Sequence, residues 1–311
     1  MAHRKPHDRR CSYVVVVESE TESSDLAEYL ATLAPADCDV LILDYASPER
    51  FDEHRRILRW AGRHVAIPKG TDVVRAAMEL AACEKVIIAT DDVRYSIPEV
   101  ESLCELLDRY EVVEPQQYLS PLPWWGSIEA GRMLVQRGIE RFGDRSSTYA
   151  VRRSVVRNIR GADIGSDHAI RRLALRGADV HAASELFVRR HPRALSAWLH
   201  ERPEEAEEDF AAPGKTILFL ALLPVVIALA VFGGARIAGG FTGMVALASA
   251  ALAIRGRIGA SSFYPVRTCL FAPLAVFERS VSVYWALFRR VRAVTIEPKP
   301  VATPLRAASG E

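Results

Sequence analysis

The stretch "KVIIATDDVRYSIPE" (residues 85–99) contains the strongest signal for the fold of this chain. Its first residues are apolar β-formers that predict a buried strand, and the strand ends at two adjacent acids, Asp91 and Asp92. Neighbouring carboxylates repel each other unless water or a cation relieves them. The alternative is that the two acids cap the next turn, where Asp is a preferred residue. The pair is therefore the first candidate for a functional site.

Segments typical of strands and helices alternate on the amino-terminal side of this stretch. The runs "YVVVVES", "CDVLILDYAS" and "HVAIP" predict strands, and amphipathic patterns between them predict helices. Such alternation predicts an α/β fold with a Rossmann-like, doubly wound and mostly parallel sheet, whose ligands bind beyond the carboxyl ends of the strands. Asp44, Asp91 and Asp92 all fall at such ends. We therefore expect them to share one site.

Composition and charge exclude several classes of protein. The 311 residues carry 40 Lys and Arg against 39 Asp and Glu, a net charge of +1, which argues against a nucleic-acid-binding protein. Five scattered cysteines lack the spacing of a zinc site or a disulfide framework, and we expect reduced, cytosolic thiols. The basic residues 1–11 are predicted to be a tail without the pattern of a signal peptide.

Two almost uncharged segments, 216–234 and 237–254, predict membrane-spanning helices. Each is long enough to cross a hydrocarbon core of roughly 30 Å. The second is rich in small residues, which allow close contact between helices. Together the segments predict a helical hairpin that turns near Arg236. The alternative is a buried pair of helices in a soluble protein.

The charges that flank these segments predict their orientation. Lys215 precedes the first span and Arg255 follows the second, against Arg236 alone in the turn, so both ends should face the cytoplasm. This places the chain in the plasma (inner) membrane with its large domain in the cytosol. The predicted domains are a basic tail (1–11), a cytosolic α/β domain (12–212), a membrane region (213–292) and a disordered tail (293–311).

A third helical pattern occupies residues 266–290 or thereabouts. Apolar residues recur there at helical spacing while arginines populate other faces, which predicts an amphipathic helix at the membrane interface. The alternative is a third span in which Glu278 and Arg279 form an inward-facing pair, since charges in hydrocarbon occur when they are paired.

The acids at the strand ends suit one kind of chemistry. Carboxylate oxygens are hard ligands for Mg²⁺ or Mn²⁺, which also bind phosphate oxygens. A cation held by Asp92 and Asp91 would neutralise the charge on a departing nucleotide diphosphate. Asp44 could accept a hydrogen bond from the base or ribose of the nucleotide.

Several motifs, taken in their order along the chain, carry a resemblance to a known family. They are "VLILDYASPE" (40–49), "PKGTDVVRAAM" (68–78), "TDDVRY" (90–95), "VEPQQYLSPLPWW" (113–125) and "GSDHAIRRLALRGADV" (165–180). From Tyr13 to about Arg292, the sequence resembles a divergent, membrane-anchored family-2 glycosyltransferase with the GT-A fold. The resemblance implies that residues 12–212 form a nucleotide-sugar-binding domain.

The resemblance also implies an activity and its site residues. It implies an inverting hexosyltransferase that moves a sugar from a nucleotide-diphosphate donor to a lipid or lipid-linked acceptor at the cytoplasmic face, with Asp167 as general base. A divalent cation, Mg²⁺ or Mn²⁺, would be bound at Asp92 with Asp91. The further implied site residues are Asp44, Lys69 and Arg202 on the donor side and Trp124 and Trp125 on the acceptor side.

Three positions depart from the pattern of the family. Thr90 stands where the family has an acid before the metal-binding pair, Ser166 where the general-base motif begins with Glu, and Glu204 where an arginine is expected. A carboxylate in place of an arginine repels phosphate. These departures motivate a second interpretation, a degenerate, non-catalytic homologue that acts as a membrane-anchored binding or scaffold protein.

Overall fold

A computed structural model of the chain describes residues 10–18, 21–68, 70–139, 148–158, 169–208, 210 and 213–296. The chain divides into two compact units. The first unit comprises the residues up to Arg193 together with Leu247–Pro273, and the second comprises Ala194–Ala246 together with the residues from Leu274 onward.

The first unit contains an eight-stranded sheet with the order β3-β2-β1-β4-β7-β6-β8-β5. The strands are β1 (Cys11–Val17), β2 (Cys38–Asp44), β3 (Arg63–Ala66), β4 (Lys85–Thr90), β5 (Val93–Arg94), β6 (Val112–Leu119), β7 (Thr148–Arg152) and β8 (Val180–Arg190). The helices of this unit are α1 (Ser23–Leu33), α2 (Pro48–Leu58), α3 (Val73–Leu80), α4 (Ile97–Leu106), α5 (Trp124–Ile139), α6 (Arg153–Asn158) and α7 (Ala169–Leu175).

The sheet is mixed, with a parallel half that begins the chain. Strands β3, β2, β1 and β4 are all parallel, as the alternation of strands and helices predicts. Strand β7 then inserts antiparallel to both β4 and β6, while β8 pairs parallel to β6 and antiparallel to β5. This arrangement is typical of a GT-A-like fold, so the predicted fold class is confirmed.

Helices cover both faces of the parallel half. Successive side chains of a strand point to opposite faces, and β1 is buried at all seven positions. Val15 packs in one apolar cluster with Leu103 of α4, and Val14 packs in another with Val74 of α3. The double layer of helices explains why the strand sequences of this half are continuous apolar runs.

Helix α5 packs with its backbone close to the segment Leu247–Pro273 of the same unit. A Cβ atom added to Gly256 would lie 1.9 Å from the carbonyl oxygen of Leu134, and one added to Gly138 would lie 2.3 Å from that of Leu252. Glycine is required at both positions because the two backbones leave no room for a side chain.

We expect Gly256→Ala to destabilise the protein by about 1–3 kcal/mol, because the added methyl group forces the two helix backbones apart. Thermal unfolding of the detergent-solubilised chain measures this loss. Gly243→Ala is the matched control, since no atom lies within 4 Å of the position of its added Cβ. Equal melting temperatures for the two variants would contradict the close packing.

The C-terminal part of the chain contains four helices. They are α8 (Leu195–Glu208), α9 (Pro213–Phe232), α10 (Ala235–Arg257) and α11 (Thr268–Ile296). Among the described residues, α9, α10 and α11 are long and apolar enough to cross a membrane, judged by length and composition. The first two contain nearly all of the predicted spans 216–234 and 237–254. Whether α11 spans the membrane or lies at its interface stays a prediction.

In the alternative with a third span, Glu278 and Arg279 were expected to pair, but in the structure each contacts a different partner in the second unit. Arg279 is buried, donates to the backbone oxygen of Glu205 at 2.5 Å and lies 3.6 Å from its carboxylate. Glu278 instead accepts a hydrogen bond from Ser282 at 2.6 Å. Neighbouring residues on a helix point in different directions, which explains the separate partners.

Candidate functional site

The candidate site lies at the carboxyl edge of the parallel strands. Strands β1 and β4 are neighbours in register, with Val16 opposite Thr90, so the residues that follow the two strands meet at one edge. Asp91 follows β4, and its carboxylate accepts a hydrogen bond from Thr21, which lies just beyond β1. The sheet therefore gathers polar side chains that are about 70 residues apart in sequence.

Asp92 is the most tightly held residue of the site. It is only 6% exposed, and its two carboxylate oxygens accept hydrogen bonds from Thr90 at 2.5 Å and from Arg190 at 2.6 Å. Burial alone would raise the pKa of Asp92, but the charges of Arg190 and Arg193 outweigh it and lower the pKa to about 2. Asp92 is therefore ionised at neutral pH. Thr90 supports the carboxylate of Asp92 through this hydrogen bond.

Asp91 is held less favourably than its neighbour. Burial and the adjacent charge of Asp92 raise the pKa of Asp91 to about 6, against the opposing effects of Arg193 and the Thr21 hydroxyl. The repulsion expected between adjacent acids is thus present. The ionised form of Asp91 gains stability when a further positive charge approaches it.

Arg193 lies at the point where three carboxylates converge. Its guanidinium nitrogens are 3.5 Å from Glu18, 3.4 Å from Asp91 and 3.7 Å from Asp92. These distances are longer than the 2.6 Å contact between Arg190 and Asp92. The sequence patterns did not identify Arg190 and Arg193 as site residues. The basic run "RRHPR" (189–193) is the sequence feature that could have indicated them.

The net charge of the cluster formed by Glu18, Asp91, Asp92, Arg190 and Arg193 indicates whether a divalent cation would be balanced there. Glu18, Asp91 and Asp92 contribute −3, and the two arginines contribute +2, which leaves −1. Without Arg193 the sum is −2, the charge that one divalent cation balances. Within the described ranges, no group of three His, Cys, Asp or Glu side chains has the arrangement of a metal site. The donors suit Mg²⁺ or Mn²⁺ chemically, and the Arg193 guanidinium is a positive charge beside them in this structure.

Asp44 ends β2 and is buried with two histidines. Its carboxylate accepts hydrogen bonds from His54 and His64, each at 2.9 Å, and from the backbone N–H of Ala46 at 2.8 Å. Burial alone would raise the pKa of Asp44, but the hydrogen bonds from His64, Ala46 and His54 outweigh it and lower the pKa. Asp44 is only 1% exposed, so a nucleotide that binds it must move the residues that cover it.

We expect Asp44→Ala to destabilise the protein by about 2–4 kcal/mol at pH 7, because two buried imidazoles lose their acceptor. The contribution of Asp44 is present above its unfolded pKa of about 3.9 and is lost as pH falls through its lower folded pKa. Melting temperatures of wild type and variant should therefore converge below about pH 4. Asp52→Asn, at an exposed position of α2, is the control and should change little.

The remaining predicted site residues fall in three places. Asp167 and Lys69 lie outside the described residues. Arg202 belongs to the second unit, where it is buried, donates to Glu205 at 2.6 Å and lies over the ring of Trp198. At the start of α5, Trp124 is 64% exposed and makes an edge-to-face contact with the half-buried Trp125.

Comparison with known proteins identifies similar folds at low identity. No protein-family model and no curated protein matches the chain. A glucosyl-3-phosphoglycerate synthase from Mycobacterium tuberculosis, crystallised with Mn²⁺ and uridine diphosphate, is 15% identical over 60% of this chain and 74% of its own, with a TM-score of 0.40. A CMP:2-keto-3-deoxy-manno-octonic acid synthetase complexed with CTP is 12% identical over 61% and 95% of the two chains, with a TM-score of 0.40. A cytidylyltransferase from Leptospira borgpetersenii is 10% identical over 57% and 76%, with a TM-score of 0.39. None of these similarities is close enough to assign an activity.

Proposed function

We propose that this chain is a glycosyltransferase that moves a sugar from a nucleotide-diphosphate donor to a lipid or lipid-linked acceptor at the cytoplasmic face of a membrane. The observation that carries the proposal is the cluster of three acids and two arginines at the carboxyl edge of the sheet. Open α/β sheets bind their ligands at this edge. Acids and arginines together suit a ligand that has phosphate groups and a cation bound to them.

On the donor side, Asp91 and Asp92 would hold Mg²⁺ or Mn²⁺. When bound, such a cation neutralises negative charge on the leaving diphosphate. The guanidinium of Arg193 suits phosphate oxygens because it presents several N–H donors in one plane. Lys69 is proposed as a further phosphate contact. Asp44 is proposed to meet the nucleotide.

On the acceptor side, the proposal rests on the apolar helices. Three helices that could cross a membrane suit an enzyme whose acceptor is a lipid or is linked to one. The exposed ring of Trp124 suits contact with a sugar or with the membrane surface. Asp167 is proposed to take the proton of the acceptor hydroxyl while the hydroxyl oxygen bonds to the anomeric carbon of the sugar. The bond from that carbon to the diphosphate oxygen breaks in the same step, which inverts the configuration.

The first test measures donor binding. Isothermal titration of the detergent-solubilised protein with uridine- and guanosine-diphosphate sugars, in the presence of Mn²⁺, should show binding of at least one of them. Asp91→Asn should weaken that binding at least tenfold because it removes a ligand charge. Asp108→Asn, an exposed acid paired with Lys85 elsewhere, is the matched control. Absence of binding by every donor would remove the basis of the proposal.

The second test separates chemistry from binding. We expect Asp167→Asn to reduce sugar transfer by at least about 10²-fold, because an amide cannot accept the proton of the acceptor hydroxyl. Its affinity for the donor should stay within about twofold of wild type, since the base acts on the acceptor. A variant that transfers sugar at the wild-type rate would exclude Asp167 as the general base.

One observation favours a second candidate function. All four carboxylate oxygens of Asp91 and Asp92 already accept hydrogen bonds from Thr21, Thr90, Arg190 or Arg193. A closed network of this kind suits a non-catalytic homologue that acts as a membrane-anchored binding or scaffold protein. Turnover of a nucleotide sugar that is abolished by Asp167→Asn would exclude this candidate.

A further inference from the structure

Three of the five cysteines lie together at the amino ends of β1 and β2. Cys11 and Cys38 are register partners on these parallel strands, and their sulfur atoms are 3.1 Å apart. Neighbouring strands are about 4.8 Å apart, which falls inside the range of about 4.4–6.8 Å that disulfides span between Cα atoms. A disulfide bond of about 2.05 Å therefore requires the two sulfurs to approach by only about 1 Å.

The third thiol, Cys104 of α4, belongs to the same apolar cluster as Cys11. The neighbouring thiols Cys104 and Cys38, together with burial, raise the pKa of Cys11. The neighbouring Cys11 thiol and the charges of Lys85 and Arg10 lower the pKa of Cys104.

The three thiols differ in their access to solvent. Cys38 is half-buried, whereas Cys11 and Cys104 are buried. An oxidant from solution therefore meets Cys38 first, and the buried Cys11 is positioned to react with the oxidised sulfur. No metal arrangement of these thiols is present in the described part of the chain.

We propose that Cys11 and Cys38 form a reversible oxidation site that hydrogen peroxide converts to a disulfide. The Cys38 sulfur attacks one peroxide oxygen, the O–O bond breaks, and water leaves as Cys38 becomes a sulfenic acid. The Cys11 sulfur then attacks the Cys38 sulfur, the S–O bond breaks, and the departing hydroxide takes the Cys11 proton and leaves as a second water. Two thiols are oxidised, one peroxide is reduced to two waters, and a thiol reductant restores the pair.

The disulfide would join β1 and β2 at their amino-terminal ends, whereas the carboxylate cluster follows the carboxyl-terminal ends of the strands. Cys11 and Cys38 begin their strands, whereas Asp44 and the residues after Val17 lie at the other ends. The bond would close a loop that contains α1, which restricts the unfolded chain and raises the melting temperature. The oxidation site is therefore independent of donor binding and of the proposed transferase activity.

The tryptic cleavage pattern provides a direct test on the full chain. No Lys or Arg occurs between Arg10 and Arg50, so trypsin releases Cys11 and Cys38 in one peptide, 11–50. After hydrogen peroxide treatment, this peptide should lose two hydrogens in mass and resist alkylation at both cysteines. Free thiols per denatured chain should fall from five to three, and dithiothreitol should restore five.

Matched variants exclude other pairings. Cys38→Ser, at a half-buried position, should keep its four thiols under the same treatment, whereas Cys83→Ser should fall from four to two. Cys104→Ala should still form the bond, because peptide 11–50 keeps both of its cysteines. A cross-link between peptide 11–50 and any other peptide, or an unchanged thiol count in wild type, would overturn the proposal.

Discussion

Asp92→Ala is expected to lower the free energy of unfolding by about 3–5 kcal/mol, because it leaves the charge of Arg190 without its buried partner. The carboxylate is 6% exposed and accepts hydrogen bonds from both Thr90 and Arg190, so water cannot replace it easily. Thermal or denaturant unfolding in detergent measures the loss. Nucleotide-diphosphate binding should disappear in the same variant, since the proposed cation loses a ligand.

A double-mutant cycle distinguishes a lost ion pair from a general packing defect. Asp92→Ala combined with Arg190→Met removes both charges, and the double variant should be at least about 1 kcal/mol more stable than the sum of the single losses predicts. Asp108→Ala, at an exposed acid, is the control and should leave the melting temperature almost unchanged. Simple additivity of the two single losses would show that the Asp92–Arg190 contact does not stabilise the site.

Arg193→Gln is expected to strengthen the binding of Mn²⁺ at least tenfold in the absence of nucleotide. The guanidinium lies 3.4–3.7 Å from three carboxylates, two of which are the proposed ligands of the cation. Charges about 4 Å apart interact by about 1 kcal/mol in water and about 4 kcal/mol near a protein surface, so removing this competitor is a large change. Electron paramagnetic resonance of free Mn²⁺ measures the affinity without reference to activity.

Arg189→Gln is the matched control for the competition. It removes an equal charge from an exposed position of β8, where salt screens its effect on the carboxylates. Mn²⁺ affinity should stay within about twofold of wild type in this variant. If Arg193→Gln left the affinity unchanged or lowered it, Arg193 would be a support of the carboxylates instead of a competitor for their position.

Local patterns predicted the framework of the site well. The apolar run of β4 followed by Asp91 and Asp92 placed two acids at a strand end, and the structure has them there. This prediction succeeds because the apolar residues of a strand themselves indicate that the strand is buried. The antiparallel insertion of β7 between β4 and β6 was not predicted. The residues of one strand do not indicate which distant strand it pairs with.

Sequence patterns did not indicate which side chains contact Glu18 and Asp44. Arg193 contacts Glu18, although 175 residues separate them along the chain. His54 and His64 bind Asp44 because α2 and β3 bring them to the end of β2, and neither histidine has a motif spacing that indicates it. Such contacts depend on the angles between whole elements, which arise only when the sheet and its helices pack together.

The alternation of strands and helices, the acids at the strand ends and the apolar C-terminal helices can all be predicted from the sequence. These features depend on the local periodicity and composition of the chain, which set what each segment buries. Two other features are visible only in the folded chain: Arg193 lies within 4 Å of three carboxylates, and the sulfurs of Cys11 and Cys38 lie 3.1 Å apart. The reason is that strand register and side-chain contact across the sheet are properties of the folded chain as a whole.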